Sequence, residues 1–406
     1  MHVLFLAPDT HSYNHAFLGG LKSVGARVSG VGPTPADRLS EGARRHLDGY
    51  RTSGNVLDSS ELLARAQELA KGRPFTHIET IDEPLIEPAA RLREALGVPG
   101  LSTATARLCR DKVAMKEFLR ERGVPCAAST GFTTAAEVRA FAAQEGYPLI
   151  VKPVDGFNAL DTYRVADAAA LEALLPSLKL DGVKRLAVEE FIEGHEGFYD
   201  TIVGPDGVRH DFVGHYYPGC LEANRTRWIS PQIAISNRID EDGYRELREV
   251  GARVSTALGL RATATHMEWF FGPKGLRFGE IGARPAGEKI WDMYRAANDF
   301  DVFREWALAV VGQPSEARPS RRLSAGSIQV RPDKDGVVVG HSGVRATFER
   351  FGAQIYEHEL PPEGSQTKGL DRGWLCNTWF RLTHPDYDAL RDAMTYIGEH
   401  VKTHAR

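Results

Sequence analysis

The chain has 406 residues, with 50 Lys+Arg against 54 Asp+Glu and a net charge of −4. That length implies two to four domains with ample core, and the near-neutral balance argues against a nucleic-acid protein led by charge. No window approaches the ~18 consecutive apolar residues of a membrane span. The start lacks a basic n-region, and Cys109, Cys126, Cys220 and Cys376 form no CxxC pair, so the expectation is a reduced, cytoplasmic protein without membrane or nucleic-acid partners.

The first hundred residues alternate apolar runs with amphipathic stretches: strand 2–7, helix 15–24, strand 27–31, helix 59–71, strand 76–80 and helix 84–96. This alternation predicts a parallel sheet flanked by helices, an α/β unit over 1–100. Such sheets bind ligands beyond the carboxyl ends of their strands, which directs attention to the loops 9–14 and 81–83. Gly97-Val-Pro-Gly100 breaks the pattern, and a helix-rich stretch follows over 103–122. From Pro148 the chain becomes β-rich, with strands 149–152, 162–165 and 186–192, a helix 167–178, and hairpin strands within 197–214 about the turn Gly204-Pro-Asp-Gly207. A helix 243–258 and strands 264–272 and 276–281 complete an α+β block. After the linker-like stretch 312–320, further strands and a helix over 386–400 predict a β-rich C-terminal unit, 320–406. The fold class is therefore α/β plus α+β, in several domains.

Chemistry concentrates in charged residues at strand and helix ends. Lys112 opens a helix, the wrong sign for the helix dipole, so an anion there would repair the mismatch. Lys152 ends the strand Pro148-Leu-Ile-Val-Lys152 before a turn, free to project beyond the sheet. In Val188-Glu-Glu-Phe-Ile-Glu-Gly-His-Glu196 an apolar strand runs into a Gly turn, and a carboxylate such as Glu196 can accept two hydroxyls at once. Glu268 and Glu280 fall on adjacent strands joined by Gly272-Pro-Lys-Gly275. Two cross-strand glutamates on one face repel unless a cation separates them, and oxygen-only ligands favour Mg2+. Arg284, just beyond, can pair bidentately with phosphate or carboxylate.

Together Arg110-Asp-Lys112, Pro148-Leu-Ile-Val-Lys-Pro153, Val188 to Glu196, Met267-Glu268 and Glu280-Ile-Gly-Ala-Arg-Pro-Ala-Gly287, in this order, resemble the ATP-grasp superfamily of ATP-dependent ligases, of the carboxylate–amine type. The resemblance runs from Met1 to Gly287. It implies an ATP-grasp fold with a small subdomain over 101–187, a large subdomain with the metal site over 188–312, and ATP with Mg2+, or Mn2+ in its place, as cofactors. It further implies that Lys112 and Lys152 hold phosphates and that Glu189, Glu190, Phe191 and Ile192 hold adenine, with backbone bonds at Glu189 and Ile192. Glu196 would take the ribose hydroxyls, Glu268 and Glu280 the metal, and Arg284 the reacting phosphoryl group. Two departures stand out. Gly282 replaces the Asn that many members carry, and the segment 155–162 holds one glycine where the family's phosphate-covering loop is Gly- and Ser-rich.

The activity implied is transfer of the ATP γ-phosphate to a substrate carboxylate, followed by attack of an amine on the acylphosphate, with small-molecule substrates. Charge neutralisation is the physical task, so no GxSxG nucleophile is needed. A bicarbonate-using carboxylase or purine-pathway member, or a nucleotide-binding scaffold that has lost catalysis, are the competing readings. Arg225 and Arg227 lie in an unpatterned stretch where they could clamp a second carboxylate or simply be solvated. His11 and His15, spaced i,i+4, could face a ligand or lie on the surface. His266 shares a face with Glu268, as a supporting group or a packed core histidine. A homodimer stays open.

Overall fold

In the computed structural model, which describes residues 1–156, 161–369 and 376–406, the strand His2–Leu6 is buried at every position. It pairs in parallel with Arg27–Gly32 on one side and His77–Glu79 on the other, and Gly49–Thr52 extends the sheet to four strands. A parallel strand covered on both faces needs an unbroken apolar run, which Val3 to Leu6 supply. Its side chains alternate between two cores. Leu4 and Leu6 pack with Leu62, Ala89 and Leu92, whereas Val3 and Phe5 join a core that includes Phe17, Trp291 and Trp306. Phe17 meets the Trp306 ring edge-on at 5.1 Å, so this unit shares its core with helices Ile290–Asn298 and Val302–Val310 much later in the chain.

The helix-rich stretch after it is two helices, Thr103–Arg110 and Lys112–Arg120. They break at Asp111, whose carboxylate accepts the Val113 and Ala114 N–H groups at 3.0 and 2.9 Å, an N-cap that satisfies two otherwise orphaned donors. A four-stranded antiparallel sheet follows in the order Ser129–Phe132, Leu186–Glu190, Leu149–Pro153, Tyr163–Val165. Helices Ala135–Glu145 and Ala168–Leu174 cover it, burying Val138 and Leu171 against Leu149, Val151 and Val188.

The largest sheet has eight strands, in the order Gly275–Gly282, Thr263–Gly272, His195–Gly204, Gly207–Tyr217, Gln232–Ser236, Ser324–Val330, Thr378–His384, Ile355–Glu359. The unit expected over 320–406 thus contributes three strands to a sheet begun over a hundred residues earlier, Ser324–Val330 pairing with Gln232–Ser236. Helix Tyr387–His400 lays Leu390, Met394 and Ile397 on Ala234, Ile328 and Phe380, which explains why these strands stay buried. The segment leading into the four-stranded sheet meets the large sheet where the Phe278 N–H donates to the Pro125 carbonyl at 2.7 Å. Among the described residues no helix is long and apolar enough to cross a membrane.

Candidate active site

The hairpin of Thr263–Gly272 and Gly275–Gly282 sets Glu268 directly opposite Glu280. Burial and the facing Glu280 charge push the Glu268 carboxyl above its ordinary range. Burial acts on Glu280 the same way, but Lys112 and Lys152 override it and hold Glu280 low. Both lysines stand 3.5 Å from Glu280, Lys112 at Oε1 and Lys152 at Oε2. Two crowded carboxylates offering only oxygen, on a rigid hairpin, form a donor set that fits Mg2+.

Lys152 comes from the end of Leu149–Pro153, as its place before the turn predicts, and reaches Glu189 Oε2 at 3.0 Å. The other oxygen of Glu189 meets Lys116 at 2.6 Å. Lys116 is 2 % exposed, and its burial outweighs Glu189 to lower its pKa. Lys152 is affected in the opposite direction: burial disfavours its charge, but Glu189 and Glu280 together raise it. Glu189 was expected to act through its backbone; in the structure its strand N–H and C=O face neighbouring strands and its side chain ties two lysines together. Lys116 had no place in the sequence reading. Its spacing of four from Lys112, on one helix face, was the available signal.

Lys112 donates to the Gly156 carbonyl at 2.5 Å. The charge mismatch expected at this helix start is relieved inside the chain, by the Asp111 cap and by Glu280, so no external anion is needed to explain a lysine there. Gly156 precedes residues 157–160, the middle of the glycine-poor segment, which lie outside the described residues.

Arg284 follows the strand Gly275–Gly282 and donates from Nε to Glu83 Oε2 at 2.5 Å, while Arg110 donates to Glu83 Oε1 at 2.8 Å. Burial alone would raise the Glu83 pKa, and the two arginines bring it below the ordinary range. Glu83 stands in the loop that the parallel-sheet topology pointed to. It also accounts for Gly282: a Cβ at that position would lie 2.9 Å from Glu83 Oε2, so the space of a side chain there is taken by a carboxylate from the N-terminal unit.

Glu196 accepts the Cys220 N–H at 2.8 Å, an approach that Gly219 permits, since a Cβ there would come within 2.4 Å of the same carboxylate. Glu196, Cys220 and Glu268 bring ligand atoms within 4.8 Å of one another, which places Glu196 on the carboxylate face of the large sheet. Burial first, then Glu268, raise its pKa. Glu190 pairs with Lys274, and its N–H and that of Phe191 are used by the Ala128 and Pro148 carbonyls. Ile192 follows directly after this strand. The Arg164 guanidinium lies over the Phe191 ring at 4.3 Å.

Arg225 and Arg227 make contacts of their own. Arg227 pairs with Asp335 at 2.6 Å, and Arg225 donates to the Thr162 carbonyl. The two loop histidines also separate: His15 bonds the Ser12 carbonyl at 2.6 Å, whereas His11 Nε2 lies 2.7 Å from Asp82 Oδ1. His266 is buried beside Glu268, held by Asp200 at 2.7 Å.

Similarity to known proteins agrees with this architecture. No family model matches the chain. It is 27 % identical over 243 residues to an L-arginine-specific L-amino acid ligase of Bacillus subtilis, covering 58 % of each chain. It is 28 % identical over 349 residues to a phosphoribosylamine–glycine ligase of Vibrio cholerae, covering 80 % of this chain and 79 % of that one. The crystal structure of an L-amino acid ligase from Bacillus licheniformis superposes with a TM-score of 0.78 at 17 % identity, over 100 % of this chain and 98 % of the other. The chain has the fold of the ATP-grasp enzymes, and the relatives it is similar to are carboxylate–amine ligases of that fold. The match to the curated amino-acid ligases spans about half their length, 44 % to 58 %.

Proposed function

We propose that this ATP-grasp chain is an ATP- and Mg2+-dependent ligase that activates a substrate carboxylate as an acylphosphate and joins it to an amine, both substrates being small metabolites and one of them an amino acid. The observation that carries the reading is the convergence of Lys112 and Lys152 from one unit on Glu280, which faces Glu268 in a second, with Arg284 just beyond held by Glu83 of the N-terminal unit. Glu268 and Glu280 hold the metal, which when bound neutralises phosphate charge as the phosphoryl group moves. Lys112 and Lys152 exchange their carboxylate partners for phosphate oxygens, a swap that keeps every ammonium paired in a desolvated site. Arg284, oriented by Glu83, faces the transferring group, where a planar bidentate donor stabilises the developing charge. Glu189 keeps its place as the counter-charge that stops Lys116 and Lys152 from repelling each other. Glu190, Phe191 and Ile192 border the adenine, and Glu196 takes the ribose hydroxyls. The setting is cytoplasmic.

The test is ADP release from the purified protein with Mg2+ and ATP, screened against single and paired amino acids, small carboxylic acids and bicarbonate. Stimulation by a carboxylate with an amine, and a condensed product in the mass spectrum, is the expected result. Stimulation by bicarbonate alone would move the reading to the carboxylase type. ATP-dependent thermal stabilisation without turnover under any acceptor would leave a nucleotide-binding scaffold.

A further inference from the structure

An amine attacks an acylphosphate through its nitrogen lone pair, and an amino acid at neutral pH presents an ammonium that has none. A ligase of the proposed kind therefore needs a group that takes a proton beside the reacting carbonyl. None of Lys112, Lys152, Arg284 or the metal-facing glutamates is free to do so.

His11 has the geometry for it. It sits at the carboxyl edge of the parallel sheet, in the loop between His2–Leu6 and helix Asn14–Ser23. Its side chain is 46 % exposed, while that of its partner Asp82 is 10 % exposed. Asp82 is fixed in turn by the Thr10 hydroxyl at 2.7 Å. The His11 ring stacks on Tyr13 with centroids 5.1 Å apart and planes within 1°. The Asp82 Oδ1 approaches Nε2 at 2.7 Å as an ion-pair contact without an aligned hydrogen bond, and its charge favours a proton on that nitrogen, which leaves the lone pair of the neutral imidazole on Nδ1. The residue after Asp82 is Glu83, the one that clasps Arg284, so the pair stands one residue from the group assigned to the phosphoryl end.

We propose that His11, oriented by Asp82, is the general base that accepts at Nδ1 the proton of the attacking ammonium. This rests on the acylphosphate reading above. In the step one ammonium proton passes to Nδ1 and on to solvent, the C–N bond forms, the carbonyl carbon–phosphate oxygen bond breaks with its electron pair leaving on phosphate, and a second nitrogen proton passes to that phosphate, leaving the amide and hydrogen phosphate. Nothing is oxidised or reduced. The groups facing the ring are Asp82 and Glu288, which favour the imidazolium, Arg284, which opposes it, and the neutral Tyr13. The Asp82 carboxylate is the largest influence and outweighs burial, so the imidazole is a stronger base than a free one.

Hydroxylamine separates the two steps because it is already neutral near neutral pH and attacks acylphosphates without a base. Wild-type, His11→Gln and Asp82→Asn proteins are assayed with ATP, Mg2+ and each of the twenty L-amino acids as carboxylate, first with hydroxylamine and then, for the best carboxylate, with each amino acid as amine. The proposal expects His11→Gln to form hydroxamate within about twofold of wild type while peptide formation falls by on the order of 10^2 to 10^4, the usual weight of a general base. Asp82→Asn should shift the acid limb of kcat/KM to lower pH, since it removes the group that raises the His11 pKa. Equal losses with both nucleophiles, or peptide formation unchanged in His11→Gln, would overturn the assignment of His11. A wild-type protein that forms no hydroxamate would overturn the acylphosphate reading itself.

Discussion

The lysine–glutamate array and the Glu83 clasp are both ionic and largely buried, yet they are assembled differently. In the array, Lys116, Glu189, Lys152, Glu280 and Lys112 come from the ends of neighbouring strands and one helix, inside the two sheets that enclose the cleft. In the clasp, Glu83 reaches from the N-terminal unit to Arg284, 201 residues away, and to Arg110. The array is a set of charges that balance one another at the floor of the site, so removing one leaves a neighbour buried and unpaired. The clasp joins units, and its loss loosens two arginines without stranding either, because Arg284 keeps a bond to the Pro285 carbonyl at 2.8 Å and Arg110 one to the Asp155 carbonyl at 2.6 Å.

The sharpest test of that contrast is Glu189→Ala. It leaves Lys116 and Lys152 without their shared partner, and breaking a buried pair in this way costs about 3–5 kcal/mol. Denaturant unfolding should register the loss; a change under about 1 kcal/mol would show that the array is solvated. Glu280→Gln keeps the volume and removes one charge from the facing pair Glu268 and Glu280. ADP formation should fall by on the order of a hundredfold or more, the scale for one preorganised electrostatic group, with the melting temperature nearly unchanged. Wild-type turnover would remove Glu280 from the site.

Glu83→Gln should cost less, about 1.5–3 kcal/mol for a charge-assisted hydrogen bond, and should raise KM more than it changes ATP affinity. If it destabilised as much as Glu189→Ala, the difference between array and clasp would collapse. Acid should act on both regions. Glu189 and Glu83 have folded pKa values below the unfolded 4.5, so their stabilisation is complete above that value and is lost as pH falls through the lower folded one. A pH series of melting temperatures for Glu189→Gln should therefore run flatter than wild type below pH 4.5. The smallest effect is expected for Gly282→Asn, about 1 kcal/mol, because it must push the Glu83 carboxylate aside. Its effect should vanish in a Glu83→Ala background, as expected for neighbours that share one space.

Most of the array was legible in the sequence because its residues carry local marks. Lys152 precedes a turn at a strand end, Lys112 opens a helix, and Glu268 and Glu280 flank a Gly-Pro-Lys-Gly hairpin, although it takes a bulge beside Trp269 to bring them opposite one another. Lys116 was not legible, since a lysine on an amphipathic helix normally faces solvent and only the tertiary packing buries it. The side-chain role of Glu189 was missed for a related reason: its strand position suggests backbone chemistry, and its two lysines arrive from other elements. Arg225 and Arg227 show the reverse case, arginines in an unpatterned loop whose partners, Thr162 and Asp335, no local pattern announces.

By itself the sequence determined the parallel character of the N-terminal sheet and three of its four strands, the order of the charged motifs, and the placing of Glu268 and Glu280 on the two arms of one hairpin, because periodicity, turn chemistry and strand alternation act over a few residues. Only the tertiary structure decided that the strands beyond 324 extend the same sheet as those before 240, that Glu83 fills the space left at Gly282, and that His11 meets Asp82. Those contacts join segments separated by tens to hundreds of residues, where the chain between carries no local preference for the encounter. They exist because burying the shared apolar faces of the units brings the loop ends together, and the charges then settle on the nearest partner.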